Sequence, residues 1–379
     1  MNVRDSEVIC GLLQKAGYRI SAIDQDADIV IVNTCSVRKH AEDRVWSLIG
    51  SYKGKKVIGL VGCMAQYYKE KAFERNVDVD FVVGPQDIGK IPEIINKLSI
   101  QKVIKKGQTV KSKDSCSLFE RKIWETESGI RSEEIYHTGY YQDKDHAHVV
   151  ISEGCSNFCS YCVVPYLRGP LRHRKYQDIL TEIKEAIARG ITQVTLLGQN
   201  VNAYQDQEIN FSKLLAQVNA IDGLEGFDFF TSHPKDADIN LFKVMNDLEK
   251  LTKRLHLPLQ SGSDRVLELM NRGYTVKDYL ALIDSYRKIV RGGWLTTDII
   301  VGFPTETVAE FNQTCALVKL ARFNAAYIFK YSSRPGTKAA KMIAQLKPGE
   351  LEKRHKKILD LQRGISQELR NGKLCKKLD

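Results

Sequence analysis

Three cysteines in Gly154-Cys155-Ser156-Asn157-Phe158-Cys159-Ser160-Tyr161-Cys162 stand at C-x3-C-x2-C spacing just after a short apolar run. Three thiolates on one tight loop can hold three irons of a [4Fe-4S] cube, and no further cysteine lies near enough in sequence to complete a four-thiolate set. The pattern therefore reads as an iron-sulfur site with one iron open to a substrate or cofactor. The alternatives are a structural zinc knuckle and ordinary buried cysteines. Zinc normally takes four ligands in paired spacings, with a second pair nearby.

Two more cysteines, Cys35 in Asn33-Thr34-Cys35 and Cys63 in Gly62-Cys63-Met64, each follow a candidate strand within two residues. Both thiols could enter one crevice beyond the strand ends. The competing reading makes them small buried residues at strand-helix turns, where free cysteine is common. Cys116 has no partner motif and reads as an ordinary thiol.

The elements that must position these cysteines follow from periodicity. Val3, Val8, Ile9, Leu12 and Leu13 recur at helical spacing from Asn2 to Ala16, and Gly17 stops that helix. Strands are expected at Asp28 to Asn33, Lys56 to Val61 and Asp80 to Val83, with helices at Ser36 to Tyr52, Met64 to Glu74 and Ile88 to Leu98. This alternation predicts a small doubly wound parallel sheet over residues 1–98, with ligands beyond the carboxyl ends of its strands. Residues 99–145 are charged and broken by glycines, and read as a linker with local structure.

From residue 146 to 347 the alternation resumes on a larger scale. Candidate strands are Val149 to Ser152, Gln193 to Leu197, Phe227 to Thr231, Arg254 to Leu257, Leu295 to Val301 and Ala325 to Lys330. Candidate helices are Gln177 to Arg189, Phe211 to Ala220, Asp236 to Leu248, Val276 to Val290 and Thr307 to Leu320. These strand-helix units fit an open, partial TIM-like (β/α)6 barrel, with its site at the carboxyl ends of the strands. The three-cysteine loop follows the first strand at that end. Leu197-Gly198-Gln199-Asn200-Val201-Asn202 and Thr297 to Glu306 occupy equivalent positions, where glycine admits backbone close to a ligand and amide side chains fix its polar groups. Residues 348–379 read as a charged, solvated helix from Glu350 to Leu369 and a short remainder.

The chain has 379 residues, 43% of them hydrophobic, enough for a large core. No stretch reaches the apolar length that spans a bilayer, and the start, Met1 to Glu7, is polar and acidic, which places the chain in the cytoplasm. Nine cysteines without an export signal read as reduced thiols and metal ligands rather than a disulfide framework. The formal net charge of +11, part of it in Lys102 to Lys113 and Lys353 to Lys377, favours a polyanionic partner such as RNA without deciding it.

Taken together, Glu153-Gly154-Cys155, Tyr161-Cys162-Val163-Val164-Pro165-Tyr166, Arg168-Gly169, Leu197 to Asn202, Thr231-Ser232-His233-Pro234, Leu257 to Asp264, Met270 to Thr275 and Tyr331 to Thr337 resemble the radical S-adenosylmethionine methylthiotransferases of the MiaB-type tRNA branch. The resemblance covers roughly residues 1–370. Gln260-Ser261-Gly262-Ser263 and Asn200-Val201-Asn202 favour that branch over the RimO branch, which modifies a ribosomal protein.

The resemblance implies two [4Fe-4S] clusters and S-adenosylmethionine. Cys155, Cys159 and Cys162 would hold the cluster that cleaves S-adenosylmethionine to a 5'-deoxyadenosyl radical, and Gly198, Gln199, Asn200, Ser232, Gln260 and Val301 would hold S-adenosylmethionine itself. Cys35 and Cys63 would hold the auxiliary, sulfur-supplying cluster. The implied reaction adds a methylthio group to carbon 2 of N6-isopentenyladenosine beside the anticodon. The implied partners are tRNA and an electron donor such as flavodoxin or ferredoxin, with a monomer favoured and no membrane. Alternatives are methylthiolation of threonylcarbamoyladenosine or of a ribosomal protein, or a catalytically incomplete iron-sulfur RNA-binding fragment.

Three departures from the family pattern stand out. The first auxiliary cysteine belongs to a Cys-Gln-Met-Asn stretch of which this sequence holds Met1-Asn2, so the third ligand is expected upstream of Met1; Cys10, on an apolar helix face, is a poor substitute. The TRAM barrel that grips tRNA would begin near Lys373 and is expected to be essentially absent. Leu171 and His173 replace an acidic residue and a serine, and His173 reads as a surface histidine.

Overall fold

The structure, a computed structural model, describes residues 1–35, 39–52, 56–76, 78–98, 122–127, 129, 131–343 and 346–372. Cys116, the basic run from Lys102 to Lys113 and the stretch from Lys373 onward lie outside them. The chain forms two compact units, Met1–Lys144 with Tyr166–Gly169, and Asp145–Pro165 with Pro170–Asp379.

In the first unit, the strands Ile29–Thr34, Val57–Gly62, Phe81–Val83 and Ile123–Glu125 pair in that order, all parallel. Side chains alternate between the two faces of a strand. On one face the fully buried Ile58 and Leu60 pack with Ile49, Met64 and Phe73 from the helices Lys39–Ser51, Cys63–Tyr68 and Lys71–Arg75. On the other, Asn33 Nδ2 donates to the Asn2 carbonyl and to Ser6 Oγ, both at 2.9 Å, on the helix Asn2–Lys15. Helices therefore cover both faces, as the doubly wound reading requires.

Three local differences have physical causes. The helix expected from Met64 to Glu74 is two, broken at Lys69, whose φ of 50° lies in the left-handed region. The stretch expected as a linker contributes the edge strand Ile123–Glu125, three residues too short for alternation to show. Its later part engages the first helix: the fully buried Arg4 donates to the carbonyls of Tyr136 (2.6 Å) and Tyr140 (3.1 Å). Arg4, Asp5 and Glu7 are accordingly buried and Val3 is exposed, so apolar spacing alone misplaced the first turn of that helix.

In the second unit, His146–Val150, Gln193–Leu197 and Gly226–Phe229 form one parallel sheet, and Arg254–His256, Trp294–Val301 and Ala325–Lys330 another. A parallel bridge between Phe227 and Leu251 joins them, so the strands run in chain order as an open partial barrel. The helices Tyr176–Ile187, Phe211–Asn219, Ile239–Asp247, Val276–Ile289 and Val308–Ala321 alternate with the strands. Capping boxes at Thr275/Asp278 and Thr307/Glu310 start the last two. The first strand starts and ends earlier than expected, because Ser152–Glu153 turns off to pair antiparallel with Arg172–His173.

The final helix, Pro348–Arg370, is not simply a solvated face. It buries Arg354, Ile358, Gln362 and Ile365. Arg354 Nη1 meets Glu306 Oε2 at 3.0 Å, His355 Nε2 donates to the Ile328 carbonyl (3.0 Å), and Gln362 Nε2 donates to the Phe323 carbonyl (2.8 Å). The charged sequence hides this stripe because two of its buried members are polar.

Candidate functional site

The loop carrying Cys155, Cys159 and Cys162 leaves the first strand of the partial barrel at its carboxyl end. All three thiols are half-buried, unlike Cys315, which is packed inside. Gly154 (φ 67°) and Phe158 (φ 47°) take left-handed conformations that turn the backbone tightly, and the Cys162 N–H bonds the Cys159 carbonyl at 2.9 Å. Asn271 Nδ2 donates to the carbonyls of Asn157 (3.0 Å) and Phe158 (3.1 Å), and the Ser160 N–H donates to the Met270 carbonyl (3.0 Å). Arg272 Nη1 lies 3.3 Å from Cys159 Sγ.

Burial pushes the Cys162 thiol up to about 12 and raises that of Cys155, so metal binding there must displace protons. Among the described residues no three His, Cys, Asp or Glu side chains converge as a single metal ion needs. Thiolates of an iron-sulfur cluster sit on different irons, so a cluster does not require that convergence.

Beyond the strand ends lie several buried polar atoms without a partner: Ser152 Oγ, Asn200 Oδ1, Ser232 Oγ, His233 Nε2 and Gln260 Oε1. Native structures leave few such atoms, and a cluster of them at one end of a barrel fits a polar ligand. The loops are tied together. The Val201 N–H donates to the Thr231 carbonyl (3.0 Å), and Asn202 exchanges hydrogen bonds with the His233 backbone at 2.8 and 2.9 Å. A Cβ on Gly198 would lie 2.4 Å from Ser152 Oγ, so glycine is what permits that approach. Thr231 (φ 73°) and Gln260 (φ 70°) hold left-handed conformations unfavourable to them, strain of the kind that marks binding sites.

The expected cofactor residues thus fall into two groups. Gly198, Asn200 and Ser232 sit on the second and third strand ends, with Gln199 half-buried between. Gln260 bridges to Ile299, close to Val301, whose side chain is buried and whose carbonyl is taken by the Tyr331 N–H (2.8 Å). Sequence reasoning missed Asn271, Arg272, Tyr274 and His233. They lie inside motifs it had noticed, yet nothing in spacing says where such side chains reach. The neutral His233 ring accepts from the Lys235 N–H at Nδ1 (3.3 Å), which leaves a buried donor at Nε2. Burial, then the charges of Arg272 and Lys235, hold its pKa down to about 2. His173 is half-buried against Tyr204, with ring centroids 5.4 Å apart, and is not a surface residue.

In the first unit, Thr34 pairs with Gly62, so Cys35 and Cys63 step off neighbouring parallel strands together. Cys35 is exposed and Cys63 buried. Asn33 Oδ1, Gln66 Oε1 and Arg168 Nη1 are buried without partners, and Arg168 interacts electrostatically with Cys63. Cys10 is half-buried and hydrogen-bonds Tyr140.

Residues 149–318 match the Radical SAM superfamily, and residues 1–84 match the Uncharacterized protein family UPF0004. A tRNA-2-methylthio-N(6)-dimethylallyladenosine synthase of Carboxydothermus hydrogenoformans is 40% identical over 383 residues, covering 97% of this chain and 82% of its own. The synthase of that name from Clostridium novyi is 41% identical over 374 residues, covering 95% and 78%. Among solved structures, the radical S-adenosylmethionine methyltransferase TsrM of Kitasatospora setae matches with a TM-score of 0.50 at 13% identity, over 89% of this chain and 73% of its own. That likeness concerns the fold.

Proposed function

The chain belongs to the family of tRNA-2-methylthio-N(6)-dimethylallyladenosine synthases, radical S-adenosylmethionine enzymes that use a [4Fe-4S] cluster and S-adenosylmethionine, and from that premise we propose that it methylthiolates N6-dimethylallyladenosine in tRNA. The observation that carries the assignment to particular residues is the half-buried three-cysteine loop at the carboxyl end of the first strand, with unpartnered polar atoms on the loops that leave the next strand ends. Cys155, Cys159 and Cys162 are the ligands of the radical-generating cluster. Bound there, cluster and S-adenosylmethionine together supply a radical strong enough to take hydrogen from an unactivated carbon.

The protein's own part is placement and exclusion of water. Asn200, Ser232 and Gln260 offer oxygen acceptors with no other partner, suited to the ammonium and ribose hydroxyls of S-adenosylmethionine, and the His233 Nε2–H is a donor held neutral for a carboxylate or carbonyl oxygen. Gly198 and Gln199 supply backbone beside that seat, and Val301 supplies packing. Cys35 and Cys63 hold the auxiliary cluster, among the unpartnered atoms of Asn33, Gln66 and Arg168. A flavodoxin or ferredoxin is the electron donor.

The test is nucleoside analysis of tRNA from cells lacking their own enzyme of this kind and expressing the chain. The methylthio derivative of N6-dimethylallyladenosine should appear, and should vanish with Cys159→Ala. A methylthio group on a different nucleoside refutes the substrate, and none at all refutes the activity of the chain as it stands.

A further inference from the structure

Arg272 is a buried charged group of the second unit. It is 4% exposed. Its Nε donates to Tyr274 Oη (3.1 Å), Nη2 to the Pro258 carbonyl (3.0 Å), and Nη1 to Cys159 Sγ (3.3 Å) and Tyr161 Oη (3.5 Å). None of these partners is a carboxylate. Two other buried arginines of this unit do have one: Arg174 meets Glu182 at 2.5 Å and Arg354 meets Glu306 at 3.0 Å. A buried guanidinium without an anion is costly, so the site must provide negative charge in another form.

Resting on the reading of this loop as a cluster site, we propose that Arg272 is a positioning residue whose fixed positive charge and N–H···S bond to Cys159 raise the reduction potential of the cluster. A [4Fe-4S] cluster with three thiolates is anionic and gains one more negative charge on reduction. A cation hydrogen-bonded to one of its sulfurs stabilises the reduced form more than the oxidised form. Tyr274 keeps the guanidinium aimed: its hydroxyl accepts from Nε, donates within 2.7 Å of the Leu259 carbonyl, and its ring lies 5.4 Å from the Arg272 carbon. The Asn271 bonds to the loop carbonyls come from the neighbouring residue, so one turn both grips the loop and charges it.

The experiment is an anaerobic redox titration of the reconstituted full chain with dithionite, followed by electron paramagnetic resonance of the reduced cluster. It compares wild type with Arg272→Gln and Arg272→Lys, each carrying Cys35→Ala and Cys63→Ala so that one cluster is observed. Iron content and the absorption spectrum of the wild-type background come first. Failure to bind iron there overturns the cluster reading itself. With the cluster present, Arg272→Gln should lower the reduced-to-oxidised ratio at a fixed potential by about tenfold or more, about 59 mV for one electron. Arg272→Lys, which keeps the charge without the planar fork, should fall between the two. An Arg272→Gln cluster that titrates at the wild-type potential overturns the proposal and leaves the cluster reading standing. Should Arg272→Gln not fold, Tyr274→Phe carries the comparison: freeing Nε should lower the ratio by a smaller factor, and an unchanged ratio counts against the role of Arg272.

Discussion

Gln260 holds φ at 70°, a conformation that costs a residue other than glycine roughly 1 kcal/mol or more, while its Oε1 stays buried and unpartnered. Both costs make sense if the side chain is held ready for a ligand. Gln260→Gly should therefore leave the melting temperature unchanged or raise it, while weakening S-adenosylmethionine binding severalfold by equilibrium dialysis. Asp5 is a second place where one residue decides much. It receives Arg131 Nη1 at 2.9 Å and Arg168 Nη2 at 2.7 Å in a buried cluster. Burial opposes its ionisation, and the two guanidiniums overcome that, holding the carboxyl at about 2. A depressed carboxyl stabilises the fold above its unfolded pKa, near 4, and the contribution is lost as pH falls through about 2. Asp5→Asn should cost about 3–5 kcal/mol at neutral pH by stranding two buried cations, and the gap to wild type in denaturant melts should narrow below about pH 4. No periodicity announces such a cluster, since it joins residues far apart in sequence around a polar patch of an otherwise apolar helix.

At the scale of elements, strand ends do the positioning. Gly62 (φ 90°) ends the second strand of the first unit, and a Cβ there would lie 2.6 Å from both Asn33 Oδ1 and the Thr34 carbonyl. Gly62→Ala should then cost about 1–3 kcal/mol, and, because Cys35 and Cys63 flank it, should lower iron retained by a Cys155→Ala, Cys159→Ala, Cys162→Ala background. Loss of stability with full iron retention would separate Cys63 from the proposed auxiliary site. The strands of the partial barrel were legible to within a few residues because buried parallel strands are short β-branched runs between helical periods. Strand Ile123–Glu125 was not, being three residues in a charged stretch. The last helix is legible in the sequence but its buried stripe is not, because Arg354 and Gln362 look solvated until their partners are seen.

At the scale of the molecule, the sequence made visible a chain of two α/β units with a three-cysteine loop at a strand end. It could not show what surrounds that loop. Unpartnered atoms on Ser152, Asn200, Ser232, His233 and Gln260, and the uncompensated Arg272, depend on residues separated by long stretches of chain and on which neighbours fail to satisfy them. The loop therefore defines a site only together with the ends of the next strands. The most direct test of that account is quantification of 5'-deoxyadenosine from S-adenosylmethionine by the anaerobically reconstituted, dithionite-reduced chain, with Cys159→Ala in parallel. The wild type should cleave S-adenosylmethionine, with about four irons held at this loop, and the variant should not. Cleavage that persists in Cys159→Ala, or a wild type that holds its iron and cleaves nothing, would contradict it.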